Sequence, residues 1–396
     1  MWKASPCPYN FLAQNPPIPP ATLHLACLSH LSAKLLDNKG VAVMEKEFEK
    51  ICRNAAANPG DLLGEILPLI KRHHHKHKQK LPVIWIETND SGDNNISFMN
   101  STFPYLENIF QDIIDLLYSN TFMAAQGEDA VKLLDIAARK YSGEYTLVVE
   151  GAVPLRDNGL YTVIFRTKKG SITALEAVTQ LGQRAKYIVA AGTCASFGGP
   201  SAARPNITGS TSVQNVLQRE VINVSGCPVN PDWLMGTLAH LLLFGPPELD
   251  ELGRPSLFYE FTVHRHCQRR SYFDRNDLAD SLGDIECMFS QGCVGPKAGA
   301  DCPYRQWDNY VNWPVKANTP CIGCTNPDFP DGSTPFFTPM PQKGGEGSID
   351  KLQQERSALQ FFRRPLPPGG QNPRSVRAGP VTTEPAPPQL KGGGRE

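Results

Sequence analysis

The chain has 396 residues, and its 39 basic and 39 acidic side chains leave no formal net charge. This length is enough for a sizeable core and two domains. The balanced charge gives no electrostatic support for binding nucleic acid or an anionic membrane, so neither is expected as a partner. The longest apolar run, residues 238–244, is interrupted by His240 and is far too short for a transmembrane segment.

Residues 1 to about 80 form a polar leader. Its first ten residues contain neither a basic region followed by an apolar one nor a twin-arginine pair, so the sequence predicts a cytoplasmic protein. The leader ends in a basic, His-rich run at residues 71–78. Such a run could bind nickel or zinc, but a solvated basic linker is the favoured interpretation.

Residues from about 81 to 249 carry an α/β pattern. Short apolar runs rich in β-formers occur at residues 81–87, 145–149, 187–191 and 221–224, with helical patterns between them. The alternation predicts a parallel sheet with helices on both faces. One helix is expected near residues 171–184, where Thr173 and Glu176 have capping-box spacing. Another is expected after Asn230, with Pro231 in its first position.

Three loops follow predicted strands, at residues 89–93, 192–194 and 225–228. Because parallel strands end at one edge of a sheet, sites form where such loops meet. Cys194 and Cys227 lie in the second and third loops, and Asp90 and Asp93 in the first. We therefore expect the two cysteines to converge with an acidic loop.

Eight of the eleven cysteines, with one histidine, have the grouping of iron–sulfur ligands. Residues from about 250 to 335 lack regular periodicity, and metal clusters can supply the cross-links that such a segment needs. Disulfides are disfavoured because they dominate small secreted domains. Three thiolates without a fourth suit a 3Fe–4S cluster, and zinc is a distant competitor for the C-x-x-C turn. The groups are Cys194 and Cys227; His264, Cys267, Cys287 and Cys293; and Cys302, Cys321 and Cys324. The remaining Cys7, Cys27 and Cys52 have no ligand-like spacing.

Several short segments carry a resemblance to a known family. They are Glu-Gly-Ala-Val-Pro at 150–154, Gly-Thr-Cys-Ala-Ser-Phe-Gly-Gly at 192–199, Gly-Cys-Pro-Val-Asn-Pro-Asp-Trp at 226–233, Gly-Cys-Val-Gly-Pro at 292–296 and Pro-Cys-Ile-Gly-Cys-Thr at 320–325. Over residues 81–335 the chain resembles the small, electron-transferring subunit of NiFe hydrogenases. The resemblance implies a flavodoxin-like domain followed by an irregular cluster-binding domain, and a separate large subunit that holds the NiFe centre.

The resemblance also implies ligand roles. His264, Cys267, Cys287 and Cys293 match the ligands of a distal 4Fe–4S cluster, and Cys302, Cys321 and Cys324 those of a medial 3Fe–4S cluster. Cys194 and Cys227 match two of the four ligands of a proximal cluster. On this basis the domains are a leader (1–80), a flavodoxin-like domain with the proximal site (81–249), a domain with the medial and distal clusters (250–335) and a Pro/Gly-rich, disordered tail (336–396).

The other two proximal ligands are a C-x-G-C pair in the family, and that pair is missing here. Alignment on Gly92 puts Asp90 and Asp93 at its positions, whereas counting back from residues 97–98 gives Ser91 and Asn94. The family's usual glutamate after the pair has no clear match. Either the two aspartates bind iron through carboxylate oxygens, or the proximal cluster is absent or smaller. The aspartates also have the composition of ordinary turn residues.

The expected function is electron relay through iron–sulfur clusters between the large subunit's NiFe site and an acceptor or further redox subunit, in H2 oxidation or evolution. The missing pair favours an alternative, a hydrogenase-derived sensing or structural partner. A relative of the respiratory NADH dehydrogenase cluster protein is disfavoured, because that protein lacks a match to the segment from His264 to Cys324.

Overall fold

The computed structural model describes residues 45–51, 68–69, 80–101, 105–168, 170–307 and 310–338, all within the unit Met1–Met340. The His-rich run, Cys7, Cys27, Cys52 and the tail beyond residue 338 lie outside the described residues, and the four-part domain division stays a prediction. In chain order the strands are β1 (Leu81–Glu87), β2 (Ile114–Ser119), β3 (Thr146–Glu150), β4 (Val153–Pro154), β5 (Val163–Thr167), β6 (Gly170–Thr173), β7 (Tyr187–Ala191), β8 (Ser210–Thr211) and β9 (Ile222–Val224). The α-helices are α1 (Asp93–Met99), α2 (Leu106–Asn108), α3 (Gly127–Lys140), α4 (Ala174–Gly182), α5 (Gly192–Phe197), α6 (Val213–Leu217), α7 (Pro231–Leu243), α8 (Ser256–Tyr259), α9 (Val263–His266), α10 (Arg270–Asp274) and α11 (Cys302–Arg305).

Five of these strands form the central sheet, in the order β2-β1-β3-β7-β9. Every pair in it is parallel. Counting only sheet strands, this is the 2-1-3-4-5 order of flavodoxin-like folds, so the predicted fold class is confirmed. Glu87 pairs with Glu150, Glu150 with Ala191, and Ala191 with Val224. Four strands therefore end level at one edge, where their loops meet.

Alternate residues of each strand feed two separate cores, because successive side chains point to opposite faces of a sheet. One face, with Trp85 and Val148, packs against Phe98 of α1 and Trp233 of α7. The other face packs against α3 and α4, through residues that include Ile84, Val149, Leu134 and Val178. Burial of each such side chain contributes about 1.5–3 kcal/mol. Helices thus cover both faces, as the sequence predicts.

Local signals placed the two helices predicted near residues 171–184 and after Asn230, and they missed one strand of the central sheet. Thr173 and Glu176 form the predicted capping box, but α4 begins only at Ala174 because the residues before it pair as β6. Asn230 caps α7 by accepting a hydrogen bond from the N–H of Asp232. Strand β2 was missed, because Asp115 interrupts its apolar run at the edge of the sheet and a π-helix, Ile109–Ile113, precedes it directly.

The segment after residue 250 contains short helices and turns, and buried charges attach it to α7. Arg305 is 1% exposed and contacts Asp301 at 2.7 Å and Asp232 at 3.1 Å. The indole N–H of Trp233 donates to Asp301 at 2.7 Å. The residues that carry the later cysteines are thereby fixed on the α/β domain. None of the helices in the described ranges has both the length and the apolar character needed to cross a membrane.

Candidate functional site

A cavity of about 290 Å³ opens at the carboxyl edge of the sheet. The loop after β1 contributes Asp90 and Asp93 to its wall, the start of α5 contributes Cys194, and the loop after β9 contributes Cys227. Ser91 and Asn94, the residues of the other register, also line it. Ser91 is exposed, however, and the Asn94 amide oxygen already accepts a 2.8 Å hydrogen bond from the N–H of Val229. The structure thus brings two thiols and two carboxyls together at one opening.

The acidic loop is held by a carboxyl group from the neighbouring strand. Glu150, the last residue of β3, is fully buried, and its Oε1 accepts from the N–H groups of Asn94 and Asn95 at 3.1 and 3.2 Å. Its Oε2 accepts from the indole N–H of Trp85 at 3.2 Å. The first backbone N–H groups of a helix have no intrahelical partner, and this carboxyl group supplies one. Glu150 therefore fixes the start of α1 beside the cavity.

Two glycines permit the close approaches that shape this cavity. Gly192 has φ +84°, and a Cβ on it would lie 2.6 Å from the Asn94 amide oxygen. Gly199 has φ +47°, and a Cβ there would lie 2.8 Å from the N and 3.0 Å from the Sγ of Cys194. Side chains are strained at such φ values and have no space here. The packing around this cavity therefore requires glycine at positions 192 and 199.

The groups around this first cavity repel one another when charged. Burial raises the pKa of Asp90 to about 6, and its Oδ2 atom is buried without a hydrogen-bond partner among the described residues. Burial, then the charge of Asp90, raises the pKa of Glu150 to about 8. Burial and the nearby groups of Cys324, Asp93 and Cys194 raise the pKa of Cys227 to about 12. Bound iron would offset this repulsion, so the donor set and the orphaned oxygen fit a metal centre.

A second, smaller cavity is lined by His264, Cys267, Cys287 and Cys293. Arg269 also lines it and is itself buried. The Arg269 guanidinium donates to the backbone carbonyls of Asp284 and Glu286 at 2.8 and 2.7 Å, which fixes the turn leading into Cys287. The four predicted distal ligands therefore surround one space.

Cys302, Cys321 and Cys324 lie between these two sites. Cys302 begins α11 and is buried, and burial raises its pKa, as do the charges of Cys324 and then Cys321. Burial also raises the pKa of Cys321, as do the charges of Cys293 and Cys324. The three thiols therefore lie close together, beside Cys293 of the second cavity.

Hydrogen bonds connect the three groups in series. The hydroxyl of Thr193, the residue before Cys194, donates to the carbonyl of Cys324. The N–H of Val294, the residue after Cys293, donates to the carbonyl of Cys321 at 2.8 Å. The order in space is therefore proximal, medial, distal, and each junction is a hydrogen bond between segments that carry ligands of adjoining sites.

The thiols are neither paired nor arranged around one ion. All eight cysteines in the described ranges are free. Within those ranges, no three His, Cys, Asp or Glu side chains are close enough together to share a single metal ion. A zinc site needs about four ligands within roughly 2.0–2.3 Å of one atom. In the described ranges the side chains are therefore not arranged as a single-ion zinc site.

Sequence reasoning missed Glu150 and Thr193 as parts of the site. Glu150 terminates a buried apolar strand, and an acidic residue in that position is a signal that could have drawn attention to it. Thr193 precedes a predicted ligand, and its hydroxyl bonds to residues far away in the sequence, so no local pattern reveals it.

The comparisons agree with this geometry. Residues 259–337 match the family described as the C-terminal part of NiFe/NiFeSe hydrogenase small subunits, and residues 92–241 match NADH ubiquinone oxidoreductase, 20 Kd subunit. The chain is 36% identical over 317 residues to the periplasmic NiFeSe hydrogenase small subunit of Desulfomicrobium baculatum, covering 75% of this chain and 99% of that relative.

Solved structures give the same result. The reduced, active Ni-Fe-Se hydrogenase from Desulfomicrobium baculatum matches with a TM-score of 0.63 and 37% identity, over 66% of this chain and 100% of that one. The actinobacterial-type NiFe-hydrogenase from Ralstonia eutropha H16 matches with a TM-score of 0.62 and 26% identity, over 77% and 95%. With its parallel sheet and its series of cysteine sites, the chain belongs to the family of NiFe and NiFeSe hydrogenase small subunits.

Proposed function

We propose that this chain relays electrons through three iron–sulfur sites between the NiFe centre of a large subunit and an acceptor or further redox subunit. As a hydrogenase small subunit it is the electron-transfer partner of a large subunit, and the pair is an oxidoreductase acting on H2. The observation that carries the proposal is the series of three cysteine groups, joined by hydrogen bonds from Thr193 to Cys324 and from Val294 to Cys321.

Each site would hold its own type of cluster. We assign a 4Fe–4S cluster to His264, Cys267, Cys287 and Cys293, supported by the cavity they share. We assign a 3Fe–4S cluster to Cys302, Cys321 and Cys324. When bound, such clusters supply one-electron carriers. The imidazole of His264 replaces a thiolate, so the distal ligand set carries one negative charge fewer.

At the proximal site we propose that Asp90 and Asp93 complete the ligand set with Cys194 and Cys227. The orphaned Asp90 Oδ2 supports this assignment, and so does Asp93, whose charge adds to the effect of burial in raising the pKa of both cysteines. The competing interpretation is a plain turn, since Asp90 Oδ1 accepts a 2.9 Å hydrogen bond from the N–H of Gly92. Carboxylates are harder ligands than thiolates, so the resulting cluster would be more labile than an all-cysteine one.

The test is iron content and EPR of the anaerobically purified complex with its large subunit, before and after exposure to H2. We expect three cluster signals, all reduced by H2. Asp93→Ala is expected to remove the proximal signal, and Asp93→Cys to retain it with a more negative potential. Ser91→Ala is the matched control, because Ser91 lies in the same loop but belongs to the other register.

Two results would contradict the proposal. Loss of the proximal signal in Ser91→Ala but not in Asp93→Ala would move the ligands to the other register. Only medial and distal signals, unresponsive to H2, would replace the relay with a sensing or structural role.

We also propose a cytoplasmic location. The eight cysteines of the described ranges form no disulfide with one another, and disulfides are concentrated in proteins of oxidising compartments. Relatives named periplasmic make the periplasm the direct competitor. Fractionation of cells that express the full chain decides between them, and recovery with periplasmic markers would overturn this proposal.

A further inference from the structure

Thr193 lies at the junction between the proximal and medial sites. It is 1% exposed, and its hydroxyl both donates and accepts. The hydroxyl donates to the carbonyl of Cys324 and accepts from the N–H of Gly226 at 2.9 Å. Its own backbone N–H donates to the carbonyl of Gly226 at 2.9 Å. One side chain therefore ties the loop before Cys227 to the turn that contains Cys324.

We propose that Thr193 is a positioning residue that sets the electronic coupling between the proximal and medial sites. The proposal rests on the relay proposed above. Through its hydroxyl, Thr193 joins the N–H of Gly226, the residue before the proximal ligand Cys227, to the carbonyl of the medial ligand Cys324.

The physical argument concerns the path between the two cysteines. A hydrogen bond gives electrons a shorter and better-coupled route than a gap of the same span. Without the hydroxyl, the N–H of Gly226 and the carbonyl of Cys324 would be buried without these partners, which is costly. The two segments would then separate or admit water, and the hydrogen-bonded path from Gly226 through Thr193 to Cys324 would be lost. Transfer between the sites would slow although every ligand remained.

Ser225, two residues before Cys227, provides a matched control. The hydroxyl of Ser225 donates to the carbonyl of Thr325 at 3.0 Å, so it joins the same two segments. It bonds to neither Cys227 nor Cys324. Ser225→Ala removes a buried hydroxyl from the same junction. It therefore tests whether general loosening of the junction is enough to slow electron transfer.

The experiment compares wild type, Thr193→Val, Thr193→Ser and Ser225→Ala as complexes with the large subunit. Iron content and EPR at poised potentials first establish which clusters are present and how strongly the proximal and medial spins interact. Rapid freezing after mixing with H2 then follows reduction of the medial signal. We expect Thr193→Val to retain iron, to weaken the spin interaction and to slow medial reduction about tenfold, because one hydroxyl with two buried partners is lost. Thr193→Ser and Ser225→Ala are expected to match wild type.

Medial reduction at the wild-type rate in Thr193→Val would overturn the proposal, as would equal slowing in Ser225→Ala. If Thr193→Val loses iron, Thr193→Ser decides, because it keeps the hydroxyl: wild-type rate and spin interaction support the role, and slow transfer contradicts it. A wild-type complex without an H2-reducible proximal signal would overturn the relay itself. Failure of the relay can be distinguished from failure of the Thr193 proposal, because it would be seen in the wild-type complex before any variant is compared.

Discussion

The N–H of Val294 donates a 2.8 Å hydrogen bond to the carbonyl of Cys321. The segments that carry medial and distal ligands are therefore joined through their backbones. A substitution that moves one of these loops is expected to affect the neighbouring site as well as its own.

Substitution of Gly192 by alanine is predicted to destabilise the protein and to impair the proximal site. The change adds a Cβ 2.6 Å from the Asn94 side chain, at φ +84°. Strain and collision together should cost about 2–3 kcal/mol. Gly143→Ala is the control, since Gly143 has φ +80° with nothing within 4 Å. Tm and iron content are the measurements, and an equal loss in both variants would show that backbone strain alone is responsible.

Glu150 is predicted to make the protein less stable as pH rises. Its pKa is raised from 4.5 to about 8, first by burial and then by Asp90, so the folded state binds this proton more tightly than the unfolded chain. The unfolding free energy therefore falls across that window, by at most about 1.4 kcal/mol per pH unit. Glu150→Gln should flatten the dependence of Tm on pH.

The slope, rather than the absolute Tm, is the test of this prediction. Glutamine can still accept from the N–H groups of Asn94 and Asn95, but its amide N–H₂ would face the indole N–H of Trp85. A lower Tm at every pH is therefore compatible with the prediction. Parallel curves for wild type and Glu150→Gln between about pH 5 and pH 8 would contradict it.

How much of the fold can be predicted from the sequence depends on how local each sequence signal is. The strand at Tyr187–Ala191 was predicted to the residue, because its apolar run is short and ends at Gly192. Strand β3 was predicted one residue early, since Tyr145 is apolar and Glu150 is not. The second strand of the sheet gave no readable pattern, because an edge strand with intermediate burial does not need continuous apolar character.

The candidate site was also only partly predictable from the sequence. Thiol and imidazole ligands can be recognised from residue type and spacing alone, and the structure brings His264 and its three cysteines to one cavity. The roles of Glu150 and Thr193 depend on hydrogen bonds to residues at least 33 and up to 131 positions away. Only the assembled sheet edge brings those partners together, so no reading of the local sequence could supply them.

Replacement of Arg305 by methionine is predicted to destabilise the fold by about 3–5 kcal/mol, since it leaves the Asp301 and Asp232 carboxylates, which are 13% and 14% exposed, without their cation. Arg305 is 1% exposed. Arg139→Met is the matched control, because the Arg139–Asp135 pair is solvent-exposed at a similar distance of 2.9 Å. That variant should change stability by about 1 kcal/mol or less. Similar shifts of the Tm in the two variants would mean that the buried network is not a major support of the junction.

Replacement of His264 by cysteine is predicted to lower the potential of the distal site. The thiolate adds one negative charge to a cavity that already contains Cys267, Cys287 and Cys293, and added negative charge disfavours the reduced form by roughly 100 mV. His266→Ala is the control, because His266 hydrogen-bonds Tyr304 and is not among the residues lining that cavity. Potentiometric EPR of the complex measures both variants. A more negative distal midpoint in His264→Cys alone identifies the imidazole as a ligand, whereas an unchanged midpoint with full iron content would place His264 outside the ligand set.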